Sequence, residues 1–146
     1  MIIIYNMRNC QKITPLLLLL SCSFKLENAT SNIQIKDVHS SYYSNGVLEY
    51  SSEMYNGKLD GLTKYWDNQG KLKSSSNYKN GDLHGKSIFY FEDGSVKLKS
   101  EYFYGKKHGI EEAFYKNGQR QSYTVFEYGD VLIPTSRWTS NGELIP

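Results

Sequence analysis

Only two cysteines, Cys10 and Cys22, occur in 146 residues, so the disulfide framework that staples many small secreted domains is excluded. Net charge is equally scarce. Arg8 and Lys12 of the N-terminal segment account for two of the 17 basic residues, leaving 15 against 15 acidic side chains. A neutral remainder offers no electrostatic footprint for DNA or RNA, so no nucleic acid partner is expected. Long hydrophobic runs are missing too: Ile13 to Leu20 spans only about 12 Å as a helix, against roughly 30 Å of bilayer hydrocarbon. No Gly-x-Ser-x-Gly elbow exposes a hydroxyl nucleophile, and no glycine-rich loop leads into a helix to cradle phosphate. Ser51-Ser52 and Ser74-Ser75-Ser76 fall in strand-like segments without a base. The expectation is a chain that is not an enzyme and holds no cofactor.

What is abundant is tyrosine and regularly spaced glycine. Thirteen Tyr beside six Phe and two Trp suit a strand-rich fold, because flat rings cover a pleated surface well. Gly46, Gly70, Gly94, Gly118 and Gly142 recur every 24 residues, and Gly57, Gly81, Gly105 and Gly129 form a second series offset by 11. A chain that restates one unit at fixed period is a stack in which each unit buries a face against the next.

Read by that period, the units begin at Tyr42, Trp66, Tyr90, Phe114 and Trp138, each an aromatic residue. A ring restored at one place in every unit is expected to form a ladder along a sheet. Asn45-Gly46, Asp93-Gly94, Asn117-Gly118 and Asn141-Gly142, with Gln69-Gly70 as the exception, read as two-residue hairpin turns with both central residues at positive φ. Asn56-Gly57, Asn80-Gly81, Tyr104-Gly105 and Tyr128-Gly129 supply the return turns. Removing the turns leaves strands of about 5 to 8 residues. The fold class is therefore all-β: an elongated single-layer antiparallel meander built from 24-residue hairpin repeats.

The segments Tyr55-Asn56-Gly57-Lys58-Leu59-Asp60-Gly61, Tyr78-Lys79-Asn80-Gly81-Asp82-Leu83-His84-Gly85 and Tyr102-Phe103-Tyr104-Gly105-Lys106-Lys107-His108-Gly109 resemble the MORN repeat, most closely the bacterial variant of YwqK-type antitoxin-like proteins. The resemblance runs from Tyr42 to about Gly129. It implies a gently twisted sheet of about four repeats over residues 42–146, with glycines permitting close approach at the bends. At Ile133 and Pro134 the repeat glycine is lost, which reads as a terminal cap that stops further strand addition.

The N-terminus reads as an address. Arg8 to Lys12 is polar and basic, Ile13 to Leu20 ends in five leucines, and Ser21-Cys22-Ser23 follows, which is the layout of a secretory signal peptide over residues 1–21. Leu19-Leu20-Ser21-Cys22 resembles the lipobox of bacterial lipoproteins, which implies lipidation of Cys22. Met7-Arg8 supplies the usual charged beginning, so a start at Met7 is expected. Two or more acyl chains give stable anchoring, and Ser23 in place of aspartate favours the periplasmic side of the outer membrane. Residues 22–41 are rich in Ser, Asn, Thr and Lys and read as a flexible tether, with a short strand open at Ile33 to Val38.

Candidate sites are few. His84 and His108 stand 24 apart with Asp60 at the equivalent place one unit earlier, but the position reads as a turn residue bonding local backbone and not as a metal ligand. His39 reads as an exposed tether residue. Glu111 and Glu112 are adjacent and would point to opposite faces of a strand, so they cannot act on one bond. The lysines near the turns read as solubilising charge at sheet edges. The aromatic series Trp66, Tyr90, Phe114 and Trp138 is the candidate binding face, with Tyr65, Phe91, Phe103, Tyr104 and Tyr115 as alternatives on the opposite face. The functional expectation is a membrane-anchored binding or scaffold module for an unknown protein partner in the cell envelope. A toxin partner, with this chain as its antitoxin, and envelope lipid or glycan both stay open, as does the oligomeric state.

Overall fold

A computed structural model describes residues 36–146. The segment read as a signal peptide, Cys22 and the segment read as a tether up to residue 35 lie outside the described residues. The ordered elements are β1 (Lys36–Tyr42), β2 (Leu48–Tyr55), β3 (Lys58–Trp66), β4 (Leu72–Lys79), β5 (Asp82–Tyr90), β6 (Val96–Phe103), β7 (Lys106–Phe114), β8 (Arg120–Glu127), β9 (Asp130–Trp138) and β10 (Leu144–Ile145). They form one ten-stranded sheet in sequence order, every pair antiparallel. The sheet begins inside the segment read as tether. His39 lies on β1, where its Nε2 meets Asp37 Oδ2 at 3.0 Å.

The two glycine series make different turns. At Asn56-Gly57, Asn80-Gly81, Tyr104-Gly105 and Tyr128-Gly129 both central residues have positive φ, between 45° and 53° for the first residue, which is the two-residue type I′ hairpin. The other series corrects the sequence reading. Asn45, Asp93, Asn117 and Asn141 are absent from the positive-φ residues, and only the glycine that follows is left-handed. The Gly46 N–H donates to the Tyr43 carbonyl at 2.9 Å and the Tyr43 N–H to the Val47 carbonyl at 2.8 Å, a pattern repeated at the next four turns. That is a type I turn closed by a left-handed glycine. An Asn-Gly pair serves either geometry, since Asn also suits a type I turn, where its side chain accepts from backbone two residues on. Asn45 Oδ1 accepts from the Val47 N–H at 3.1 Å in this way.

No hydrophobic residue is fully buried among the described residues; the buried side chains are Ser52, Thr63, Ser87, Ser100 and Thr124. Register explains this. Ser52, Thr63, Ser76, Ser87, Ser100, Glu111 and Thr124 are successive cross-strand partners and so share one face. Hydroxyl pairs tie the row across the strands: Ser76 to Ser87 at 2.7 Å and Thr124 to Thr135 at 2.8 Å. Two residues along each strand, on the same face, lies a row with Tyr50, Tyr65, Ser74, Phe89 and Leu98. On the other side of the hydroxyls, Tyr78, Tyr102 and Phe126 stand opposite Gly61, Gly85 and Gly109. Small side chains in the middle row are covered by larger ones on both flanks, which is why the polar row is the driest part of the sheet. Burial accordingly pushes the Tyr78 phenol above its ordinary value. The opposite face carries Lys64, Ser75, Ile88, Lys99, Glu112 and Tyr123 and is the charged one.

Candidate binding clefts

The equivalence of successive units is enforced by bonds between them. The Gly81 N–H donates to the Leu59 carbonyl at 2.8 Å, Gly105 to Leu83 at 2.9 Å, and Gly129 to Lys107 at 2.8 Å. Beside these, the Asn80 N–H donates to Asp60 Oδ2 at 3.2 Å and the Tyr128 N–H to His108 Nδ1 at 3.4 Å. The Asp60 and His108 side chains therefore bond the turn of the following unit, not their own, which corrects the local-turn reading. The left-handed first residue of a type I′ turn turns its N–H toward the preceding hairpin, where a short acceptor one strand-pair earlier meets it. Lys79 reinforces the first clasp with Nζ 3.0 Å from Asp60 Oδ1; its hydrogen bond, followed by that of Asn80, holds the Asp60 carboxyl below its ordinary value. His84 occupies the same repeat position, but its Nδ1 is buried without a hydrogen-bond partner.

At this edge the rings of His84, Phe103, Tyr104, His108 and Tyr128 cluster, with His84 to Tyr104 and His108 to Tyr128 each at 4.6 Å between centroids. Phe103 stands between the two imidazoles, 5.1 Å from His84 and 5.7 Å from His108. Among the described residues no group of three or more His, Cys, Asp or Glu side chains gathers as a metal site would require. Glu111 and Glu112 engage different partners, Glu111 with Ser100 and Lys107, Glu112 with Arg120.

The opposite turn edge carries the candidate binding face. Trp66, Tyr90, Phe114 and Trp138 end β3, β5, β7 and β9. Equivalent rings are two strands apart, about 9.6 Å at the usual spacing of about 4.8 Å per strand, too far for ring-to-ring stacking. The expected ladder is therefore a row of separate rings. A cation lies over two of them: Lys99 Nζ is 5.3 Å from the Phe114 centroid, and the Arg120 guanidinium 5.5 Å from that of Trp138.

Between the rings lie two adjoining clefts. The first, about 600 Å³, is lined by Tyr43, Glu49, Tyr65, Trp66, Lys73, Ser74, Phe89, Tyr90, Lys97 and Leu98. The second, about 470 Å³, is lined by Phe91, Leu98, Ala113, Phe114, Tyr115 and Gln121 together with Lys97 and Lys116. Tyr65 and Trp66, neighbours in sequence, line the same cleft, as do Phe89 and Tyr90. Strict alternation would separate them; the register shifts here leave Lys73 of β4 and Lys97 of β6 as the extra residues opposite these pairs, bulges that increase the local twist of the sheet at the cleft. Two sets placed on opposite faces by alternation are thus partly combined. Trp138 lies outside both clefts, and Phe103 and Tyr104 belong to the other edge.

Three consecutive units match the family model described as MORN repeat variant. The matched residues are 59–80, 83–104 and 107–128, so each matched unit runs from the start of one long strand to the left-handed first residue of the next type I′ turn. The inter-unit bonds of Gly81 and Gly105 and that of Asn80 close at these boundaries. No curated protein matches the chain. MORN repeats are in general non-enzymatic binding repeats; exposed rings stand both in the clefts, at Tyr65 and Phe89, and at the opposite edge, at Phe103, Tyr104 and Tyr128.

The sequence alone missed Phe89, Leu98 and the cleft roles of Lys73 and Lys97. Their signal was present in the period. Glu49, Lys73, Lys97 and Gln121 are 24 apart, as are Tyr65 and Phe89.

Proposed function

We propose that this chain is a non-catalytic binding module whose MORN clefts receive a segment of a protein partner, held at the envelope by a lipid on Cys22. The observation that carries the reading is the pair of adjoining clefts built from the same repeat positions. Tyr65 and Phe89 remain 46% and 43% exposed there, although the backbone of each is paired with a neighbouring strand on both sides. Exposed rings that are already ordered bind with small entropy loss, and about 600 Å³ is within the usual range for occupied sites of about 300–1,000 Å³.

Capture from crosslinked envelopes tests this, using the Cys22-anchored protein, a Trp66→Ala/Tyr90→Ala variant and a Trp138→Ala variant, each checked for native β-sheet circular dichroism. A protein retained by wild type and by Trp138→Ala, and lost with the cleft variant, is the expected result. Equal recovery with the folded cleft variant would overturn the reading. A toxin as the captured protein would make the module an antitoxin of the YwqK-type kind.

A further inference from the structure

The pitch and charge of the clefts specify the conformation and chemistry of what fills them. Repeat-equivalent residues recur through the clefts at one period: Lys73 and Lys97; Trp66, Tyr90 and Phe114; Phe91 and Tyr115, with Tyr43 two periods before Phe91 because Asp67 takes the place between them. Equivalent points are two strands apart, about 9.6 Å measured across the strands. A ligand that crosses the sheet and makes the same contact in each cleft must repeat with that spacing. A β-strand places same-side residues about 6.7 Å apart. An α-helix returns to the same face after seven residues, about 10.5 Å. A polyproline II helix presents every third residue on one face, about 9.3 Å apart, and fits best.

Charge decides the rest. Lys73, Lys97 and Lys116 line the clefts against one acid, Glu49, and Glu49 already accepts the Ser41 hydroxyl at 2.7 Å. None of these lysines forms an ion pair among the described residues, and Lys97 Nζ sits 5.8 Å from the Phe91 centroid. Resting on the binding-module reading above, we propose that the occupant is an acidic, proline-rich segment in polyproline II conformation. Its proline rings lie on the tyrosine and tryptophan surfaces, and carboxylates at every third position face Lys73 and Lys97. Aromatic-lined grooves take such helices because their ordering cost is met before binding.

The test is fluorescence anisotropy with the full chain in detergent and labelled twelve-residue peptides. The peptides repeat Pro-Pro-Glu, Gly-Ser-Glu or Pro-Pro-Lys. Pro-Pro-Glu should bind at least tenfold more tightly than either control, Lys97→Glu should weaken it at least tenfold, and Trp138→Ala should leave it unchanged. Equal affinity for Gly-Ser-Glu would overturn the conformational claim, and equal affinity for Pro-Pro-Lys the charge claim. The same peptide added to the envelope capture separates this proposal from the reading it rests on. If a partner is lost with Trp66→Ala/Tyr90→Ala but Pro-Pro-Glu neither binds nor displaces it, the cleft stands and the polyproline proposal falls. If the cleft variant captures everything that wild type does, both fall.

Discussion

Replacing the glycine inside each long strand should cost different amounts at three equivalent positions, and the structure orders them. Gly61, Gly85 and Gly109 have φ of +124°, +91° and +103°, so alanine at any of them carries backbone strain of about 1–3 kcal/mol. At Gly85 that is the whole cost, because the nearest atom to a new Cβ is Asn77 Cβ at 3.7 Å, ordinary contact. At Gly61 the new Cβ would also overlap the Glu53 carboxylate and lie 2.9 Å from Glu53 Cβ. That overpacking adds about 1–3 kcal/mol, for a sum of about 2–6 kcal/mol. Gly109 is intermediate, with the Glu101 carboxylate in the way but Glu101 Cβ at 3.2 Å.

Urea denaturation followed by circular dichroism reads the order directly. With m of about 1–3 kcal/mol/M, Gly85→Ala should lower the midpoint least and Gly61→Ala most. Double-mutant cycles sharpen the test. Glu101→Ala should relieve most of the extra cost at Gly109→Ala, because the clash there lies mainly with the flexible carboxylate. Glu53→Ala should relieve only part of it at Gly61→Ala, since the Cβ that stands at 2.9 Å persists in alanine. Equal midpoints for Gly61→Ala and Gly85→Ala, or full rescue by Glu53→Ala, would refute the argument.

Further outcomes follow from the clasps between units. Asp60→Ala should destabilise the Asn80-Gly81 turn and speed amide exchange at Asn80, whereas Asp60→Asn, which keeps an acceptor, should retain most of the protection. The Asp60, Asp67 and Asp93 carboxyls are held below the ordinary aspartate value of 3.8, chiefly by hydrogen bonds from Lys79, the Lys71 backbone and Ser95 respectively. Their stabilisation is present above pH 3.8 and is lost as pH falls through the lowered folded values. The urea midpoint should therefore drop below about pH 4, with a shallower slope in Asp60→Asn. Tyr104 has φ of +45° and also packs on His84 and Phe103. Tyr104→Asn exchanges ring contacts for a residue tolerant of that φ and should change the thermal midpoint little, while Tyr104→Ala loses the contacts without that gain and should lower it clearly.

Two glycine series with one period were enough to fix a single-layer meander, because turn glycines and strand-length intervals admit few other arrangements. That the hydroxyl row would be the most buried part also follows from local pattern once the register is known. The sequence carried the wrong turn assignment for Asn45-Gly46 and its equivalents, since one dipeptide satisfies two loop geometries and only the hydrogen-bonded register separates them. Tyr104 and Tyr128 adopt the left-handed conformation against their own preference, Tyr104 with ring contacts to His84 and Phe103 and Tyr128 with ring contacts to Phe103 and His108 and a bond from its N–H to His108. The clefts were decided by tertiary structure, although their residues share the sequence period: bulges at Lys73 of β4 and Lys97 of β6 twist the sheet where Tyr65 and Trp66, and Phe89 and Tyr90, line one cleft. Sequence determined what repeats and how often; the register between strands decided which repeated side chains meet, because a shift of one residue moves a side chain to the other face.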